Sequence, residues 1–214
     1  MRTKNRYADF LPLNMDIRST KPLHDRTKIK PLAAGHTFPL FHLHKEDFVV
    51  PFPFLGKESS YLVGSELLNQ PLVLAFYSVH WNGYGKRYLD ELQHLYADIH
   101  VMGGQLLVVS ADDRKELEAV ISEGGYTFPL AIDRNHQIAR SAGLYAESDP
   151  LWDRVSGIEE NAPPPALYVT GQSQHISYVF IDHYLDSTIP ARELLTEVYN
   201  AGQSTLTELQ RAIA

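Results

Sequence analysis

The sequence contains no cysteine. Its residues therefore cannot form disulfides, thiolate metal sites or iron–sulfur clusters, and they cannot catalyse a reaction through a thiol. Long apolar runs are also missing, since runs such as residues 72–77 are far shorter than the roughly 20 residues of a membrane-spanning helix. The first residues, MRTKNRYADF, lack the apolar core of a signal peptide. We therefore expect a cytoplasmic protein that does not bind membranes.

Positive charge is scarce beyond the first thirty residues. The chain carries 19 Lys and Arg against 26 Asp and Glu, a net charge of −7. Residues 1–30 hold eight of the basic residues and three of the acidic ones, so this part is at +5 and the rest at −12. An acidic body is repelled by phosphate backbones, which argues against nucleic-acid binding. The spread-out basic residues predict an arm that contacts the acidic body, with an anionic partner as the alternative.

Domain organisation follows from hydrophobic patterning. Residues 1–34 are polar and basic, with scattered prolines and no sustained period, and predict an N-terminal extension. Residues 35–214 are patterned throughout and predict one domain of ordinary size. Neither an internal repeat nor a low-complexity tract is present.

Strand and helix patterns alternate along this domain. Short apolar runs predict buried strands, and apolar residues three and four apart predict amphipathic helices. The predicted strands are residues 72–77, 106–109, 128–132, 166–169 and 176–181. The predicted helices are residues 86–99, one around Leu117, a short one from Asp133, and two C-terminal helices, 191–200 and 206–213, separated by Gly202. Parallel β-α-β units with a final hairpin and helix indicate an α/β layered sheet.

One segment carries a family resemblance. Residues 76–85 read FYSVHWNGYG. They resemble the strand-to-helix junction of the alkyl-hydroperoxide-reductase/thiol-specific-antioxidant (peroxiredoxin-like, redoxin) family of the thioredoxin superfamily, which reads roughly F-Y-x-x-x-W-C-P-Y-C before a helix with E-L. The matching residues are Phe76, Tyr77, Trp81, Tyr84, Glu91 and Leu92. Weaker matches extend the resemblance over residues 35–200. It implies a thioredoxin-like, peroxiredoxin-type α/β fold with a central mixed sheet flanked by helices.

The chemical residues of that family are absent. Its two cysteine positions fall on Asn82 and Gly85, and the proline between them on Gly83. The typical P-x-x-x-T-x-x-C pattern also places the peroxidatic cysteine at Gly85. Residues 163–167 hold no counterpart of the family's arginine. Because a peroxidase of this type needs a thiolate, the sequence predicts a scaffold without peroxidase activity.

The remaining function is then binding through the loop that matches the active site. Unpaired backbone N–H groups at the start of a helix, two glycines and the charges of Lys86 and Arg87 favour a small anionic ligand there, and a protein partner is the other possibility. The resemblance adds Pro165 as the counterpart of the superfamily's cis-proline. The predicted ligand-binding residues are His80, Trp81, Asn82, Gly83, Tyr84, Gly85, Lys86 and Pro165.

Several alternatives stay open at this point. Lys86 and Arg87 can instead reach water or pair with acids one turn later, and Trp81 and Tyr84 can line a pocket or join the core. An antioxidant, thiol-linked oxidoreductase is the function that the family name suggests. An enzyme with other chemistry, from His80, Tyr84 and Lys86, is a further alternative.

Other sites are poorly supported by the sequence. His42 and His44 would share one face of a strand, yet no third metal ligand stands at a telling spacing. No Gly-x-Ser-x-Gly elbow and no phosphate-binding glycine loop occurs. We expect neither a metal nor a cofactor. A homodimer is expected because two-fold pairing is common in this superfamily and among proteins generally.

Overall fold

The computed structural model describes residues 28–52, 61–63, 67 and 69–213. Within this part the chain forms a six-stranded sheet, a two-stranded sheet and four α-helices. The strands are β1 (His42–His44), β2 (Phe48–Val50), β3 (Tyr61–Val63), β4 (Leu72–Phe76), β5 (Gln105–Ser110), β6 (Leu130–Ile132), β7 (Ala166–Thr170) and β8 (Ile176–Ile181). The helices are α1 (Gly83–Val101), α2 (Arg114–Gly124), α3 (Gln137–Ser141) and α4 (Ala191–Ile213). No helix in these ranges is long and apolar enough to cross a membrane.

The large sheet is mixed and has the order β2-β6-β5-β4-β7-β8. Strands β4, β5 and β6 run parallel, and the other neighbours are antiparallel. In the centre Leu74 lies opposite Leu107 of β5 and Tyr168 of β7. The carboxyl ends of the three parallel strands therefore meet at one edge of the sheet. This arrangement confirms the predicted thioredoxin-like α/β fold.

Both faces of the sheet are covered by apolar side chains. Along β4, Val73 and Ala75 belong to the core on the face where α1 and α4 contribute Leu89 and Val198. The alternate residues of β4 point to the second core, which also contains Ile138 of α3. Every residue of β4, β5 and β7 is buried, as expected for strands with helices on both sides. The short apolar runs read from the sequence thus correspond to the central strands.

Two sequence expectations are corrected, and three strands are added. The C-terminal residues form one helix, α4, that runs through Gly202. A Cβ added to Gly202 would make ordinary van der Waals contact with Pro71 at 3.6 Å, and Gly202 does not end the helix. The peptide bonds of the described residues are all trans, so Pro165 is not a cis-proline. Its carbonyl accepts the N–H of Asp182 at 2.9 Å as β7 begins. Strands β1, β2 and β3 were not assigned from the sequence.

Part of the expected N-terminal extension packs on the domain. The N–H of Ile29 donates to Asp149 Oδ2 at 3.0 Å, and that of Leu32 donates to the Ala142 carbonyl at 3.0 Å. The backbone of Lys30 lies directly against Gly143, whose φ of 70° is left-handed. Residues 1–27 of the extension lie outside the described residues, and the domain boundary after residue 34 stays a prediction.

The contact at Gly143 gives a stability prediction. A Cβ at Gly143 would collide with the backbone carbonyl of Lys30 and would sit at a left-handed φ. We expect Gly143→Ala to lower the free energy of unfolding by about 2–4 kcal/mol, from the strain and the overlap together. Gly171→Ala is the control, because a Cβ there meets nothing within 4 Å and φ is not left-handed. Equal denaturation midpoints for both variants would contradict the packing of residues 28–32.

Candidate functional site

Residues 77–85, from the end of β4 through the first turn of α1, are here called the β4–α1 junction. It contains a 3-10 turn, Val79–Trp81, that begins where the Ser78 hydroxyl accepts the N–H of His80 at 3.2 Å. Asn82 follows with φ 53° and ψ −140°, a conformation that side-chain-bearing residues seldom adopt. The junction therefore reverses the chain in a strained turn immediately before α1.

Gly85, which matches the peroxidatic cysteine in the resemblance, is covered by Tyr77. A Cβ on Gly85 would lie 3.3 Å from Cε2 of Tyr77 and 3.3 Å from the carbonyl oxygen of Ser78. The Tyr77 side chain is itself only 3% exposed. Burial raises the pKa of Tyr77, and the nearby negative charge of Asp112 raises it further. Position 85 is thus closed to solvent by a neutral phenol ring.

Trp81 belongs to the core. It is 1% exposed, and its indole N–H donates to the carbonyl of Pro163 at 3.0 Å. Its ring makes edge-to-face contacts with Tyr77, Tyr84 and Tyr88. Of the two interpretations left open by the sequence, the structure therefore supports core packing for Trp81. Pro165 is buried as well.

A carboxylate that the sequence reasoning missed organises the junction. Asp112, two residues beyond β5, has a side chain that is 6% exposed. It accepts the N–H of Val79 at 2.7 Å, the Ser78 hydroxyl at 3.0 Å and the Ser110 hydroxyl at 2.6 Å. Hydrogen bonds to a charged acceptor are the stronger class. The sequence position of these residues could have revealed the contact. Ser78 and Asp112 each follow a predicted buried strand, and the carboxyl ends of neighbouring parallel strands lie at the same edge of a sheet.

The connection between α3 and β7, residues 144–165, lies against one side of the junction. His80 Nε2 is 3.5 Å from Asp112 and 3.3 Å from Glu160 of this connection. The Asn82 amide donates to the carbonyl of Gly157 at 2.5 Å. Together with the Trp81 bond to Pro163, these contacts attach the junction to the connection at three points.

The segment after β8, residues 182–189, lies against the first turn of α1. The Tyr84 hydroxyl donates to the carbonyl of Ser187 at 3.3 Å, and Arg87 donates to the same oxygen at 3.1 Å. The Arg87 guanidinium also lies 4.7 Å from the Tyr84 ring centroid. Farther along α1, Glu91 accepts the N–H of Ile189 at 2.8 Å. The junction is therefore held between two segments that are distant in sequence.

Asp182 is the buried acid of this second segment. Burial raises the pKa of Asp182, but the N–H groups of Ser187 and Tyr184, which donate to it, and the nearby Tyr84 hydroxyl outweigh burial, so the pKa lies below its usual value. The same proximity acts in the opposite direction on Tyr84. Burial raises the pKa of Tyr84, and the nearby negative charge of Asp182 raises it further. At neutral pH the pair is a carboxylate facing a phenol.

The basic side chains at the start of α1 are paired within the helix. Lys86 Nζ lies 2.8 Å from Asp90, and Arg87 Nε lies 4.0 Å from Glu91. This is the pairing one turn later that the sequence left open, and it offsets the positive charge expected to attract an anion. Asn82, Gly83 and Lys86 are exposed. Of the predicted ligand-binding residues, these three and the half-buried His80 and Tyr84 share the surface, while Trp81, Gly85 and Pro165 lie beneath it. Their joint role in binding stays a prediction.

The histidine pair of β1 lies elsewhere. His42 and His44 are exposed on one face of the strand, with Leu43 buried between them. They line a cleft of about 270 Å³ together with Arg134, Asn135 and other polar residues. Among the residues that the structure describes, no group of three His, Asp or Glu side chains is placed to hold a metal ion.

The covering of Gly85 gives a matched pair of variants in one helix. Gly83→Ala and Gly85→Ala gain similar helix propensity, but a Cβ at Gly83 meets nothing within 4 Å, whereas one at Gly85 presses on Tyr77 and Ser78. We expect the free energy of unfolding of Gly85→Ala to lie about 1–2 kcal/mol below that of Gly83→Ala. Chemical denaturation measures both. Two variants of equal stability would show that Tyr77 does not close this position.

Solved structures with a similar fold include several peroxiredoxins. Peroxidoxin BcpB from Mycobacterium tuberculosis has a TM-score of 0.59 at 14% identity, over 79% of this chain and 97% of that one. AhpC of the same organism has 0.58 at 14%, over 82% and 95%. A mutant of PrxQ from Xylella fastidiosa has 0.57 at 18%, over 80% and 98%. At these identities the likeness establishes the fold alone.

Sequence comparison assigns the family. No curated protein matches the chain significantly. The sequence pattern of the AhpC/TSA family, in contrast, matches residues 34–179, about two thirds of the chain and nearly the whole of the sheet. The chain therefore belongs to the AhpC/TSA family, although it has no cysteine.

Proposed function

We propose that the chain is an AhpC/TSA-family protein without thiol peroxidase activity, which binds a protein partner through the surface of the β4–α1 junction. One observation carries the first half of this proposal. The position that matches the family's peroxidatic cysteine is Gly85, and the Tyr77 ring covers it, 3.3 Å from where a Cβ would be.

Peroxide reduction by this family's route needs sulfur at that position. A thiolate attacks one peroxide oxygen and becomes a sulfenic acid, which a second thiol then reduces. Gly85 offers no side chain, and the sequence has no cysteine elsewhere to replace it. The oxidoreductase function that the family name suggests therefore has no nucleophile among this chain's residues.

The second half of the proposal rests on the surface around the junction. Asn82, Gly83 and Lys86 are exposed between residues 144–165 and residues 182–189. Each flanking segment also exposes a large aromatic side chain, Trp152 at 45% and Tyr184 at 64%. Tryptophan and tyrosine are enriched at the centres of protein interfaces. A polar surface flanked by exposed aromatics is typical of protein recognition.

A small anion is the second candidate ligand. The first N–H groups of α1 and the ammonium of Lys86 favour it, but Lys86 is already paired with Asp90, and Arg87 with Glu91 and Ser187.

An enzyme with other chemistry at the junction is less supported. His80 contacts Asp112 and Glu160, whereas the Tyr84 hydroxyl points to Ser187, so the two groups are engaged on opposite sides of the junction. The cytoplasmic location and the homodimer stay predictions.

The absence of peroxidase activity is tested by hydroperoxide consumption with a thiol reductant. We expect the unmodified chain to match the buffer background. The double variant Asn82→Cys, Gly85→Cys places thiols at both matching positions, where a helix N-terminus lowers the pKa of a thiol, and it measures how much activity sulfur alone restores. The thiol at position 82 should react faster with an alkylating reagent than that at 85, which Tyr77 covers. Consumption above background by the unmodified chain would refute the proposal.

The binding proposal is tested by site-specific crosslinking in cells. A photoreactive residue at Asn82 should trap one discrete protein, whereas the same residue at Glu123, exposed on α2, should not. Lys86→Glu should weaken the crosslink from position 82.

The small-anion alternative is tested by titrating acetate, phosphate and glutathione while backbone amide shifts are recorded. Shifts of Gly83, Gly85 and Lys86 at millimolar concentration, without a crosslinked protein, would favour the small anion instead.

A further inference from the structure

Two histidines of strand β1 face the same cleft. Burial alternates along this strand, because Leu43 is 2% exposed whereas His42 and His44 are exposed. Alternate residues of a strand point to the same side, and their Cα atoms lie about 6.8 Å apart. Both histidines line the cleft of about 270 Å³ described above. The two imidazoles therefore share one surface and one opening.

The backbone that carries these imidazoles is held by two kinds of contact. In the antiparallel ladder of β1 and β3, His42 lies opposite Val63 and His44 opposite Tyr61. The N–H of His44 also donates to Asp47 Oδ2 at 2.7 Å, and Asp47 is itself only 3% exposed. Because this backbone is ordered before any ligand arrives, binding here costs less conformational entropy than binding to a free segment.

The charge of the cleft favours a cation. Its lining includes the carboxyl groups of Glu46, Asp47 and Asp133 and the guanidinium of Arg134. Arg134 donates to Asp47 at 2.5 Å and to Glu46 at 2.8 Å. These two carboxylates outweigh the one positive charge between them, even when Asp133 is left out. The cleft therefore attracts a cation, and the guanidinium does not repel it.

The same ion pairs limit how many side chains can hold the cation. Glu46 and Asp47 are engaged by Arg134. In the part of the chain that the structure describes, no group of three His, Asp or Glu side chains is placed around one point. A site at this cleft therefore has two protein ligands, with water in the other positions. Metal sites that keep open positions are those at which a donor group of another molecule can bind.

We propose that His42 and His44 bind one divalent transition-metal ion at this cleft, with Cu²⁺ preferred over Zn²⁺. Two imidazole nitrogens at about 2.0–2.1 Å from an ion lie about 3 Å apart, a separation that two side chains on one face of a strand can reach. Since the chain has no cysteine, imidazole is the side chain that these ions prefer in it, and affinity is higher for Cu²⁺ than for Zn²⁺. The inference goes beyond the proposed binding function and does not depend on it.

Calorimetric titration of Cu²⁺ into the full chain tests the proposal. We expect the tightest binding event to take up one ion per chain. His42→Gln and His44→Gln should each weaken it by at least the roughly tenfold that loss of an outer hydrogen-bond partner costs a metal site. His94→Gln, at an exposed histidine of α1, is the matched control and should leave the affinity unchanged. Zn²⁺ should compete for the same site with lower affinity.

Electron paramagnetic resonance identifies the ligands directly. One equivalent of Cu²⁺ should show coupling to two imidazole nitrogens, and to one in either single variant. Because both side chains are exposed, the variants should fold, and circular dichroism checks that they do. An unchanged affinity and a two-nitrogen signal in the double variant His42→Gln, His44→Gln would place the ion on other residues and overturn the proposal. An equal loss of affinity in His94→Gln would also overturn it, because scattered histidines would then hold the ion.

Discussion

The burial of strand β4 is the constraint on which the rest of the structure depends. Leu72–Phe76 has a strand on each edge and an apolar core on each face. A strand enclosed in this way cannot slip by one residue without exchanging its two sets of side chains between the cores. Its carboxyl end is consequently held in one place. The end of β4 therefore places the junction, and the junction places the start of α1 over the sheet.

Polar contacts then fix the position of the junction that follows β4. The Asp112 carboxylate takes the Val79 N–H and the Ser78 hydroxyl, so the end of β5 holds the chain that leaves β4. Two longer segments close on the same residues from either side, at Asn82 and at Tyr84. The unfavourable φ of Asn82 persists because these contacts over-determine it.

The position that matches the family's cysteine lies beneath an aromatic ring. A Cβ at Gly85 would lie 3.3 Å from the Tyr77 ring, and Trp81 packs edge-to-face on that ring. The result is a dense aromatic cluster under a surface of small polar residues.

Sequence by itself determined the fold class and the chemistry that is missing. Apolar runs such as residues 106–109 read as buried strands because burial on both faces leaves no polar alternation, and a chain without cysteine excludes thiol catalysis wherever it folds. The continuity of α4 through Gly202 and the hydrogen bond of Ser78 to Asp112, 34 residues away, were decided by tertiary contacts. So was the covering of Gly85. Local patterns report which face a residue prefers, but only the folded chain selects which distant group lies against it.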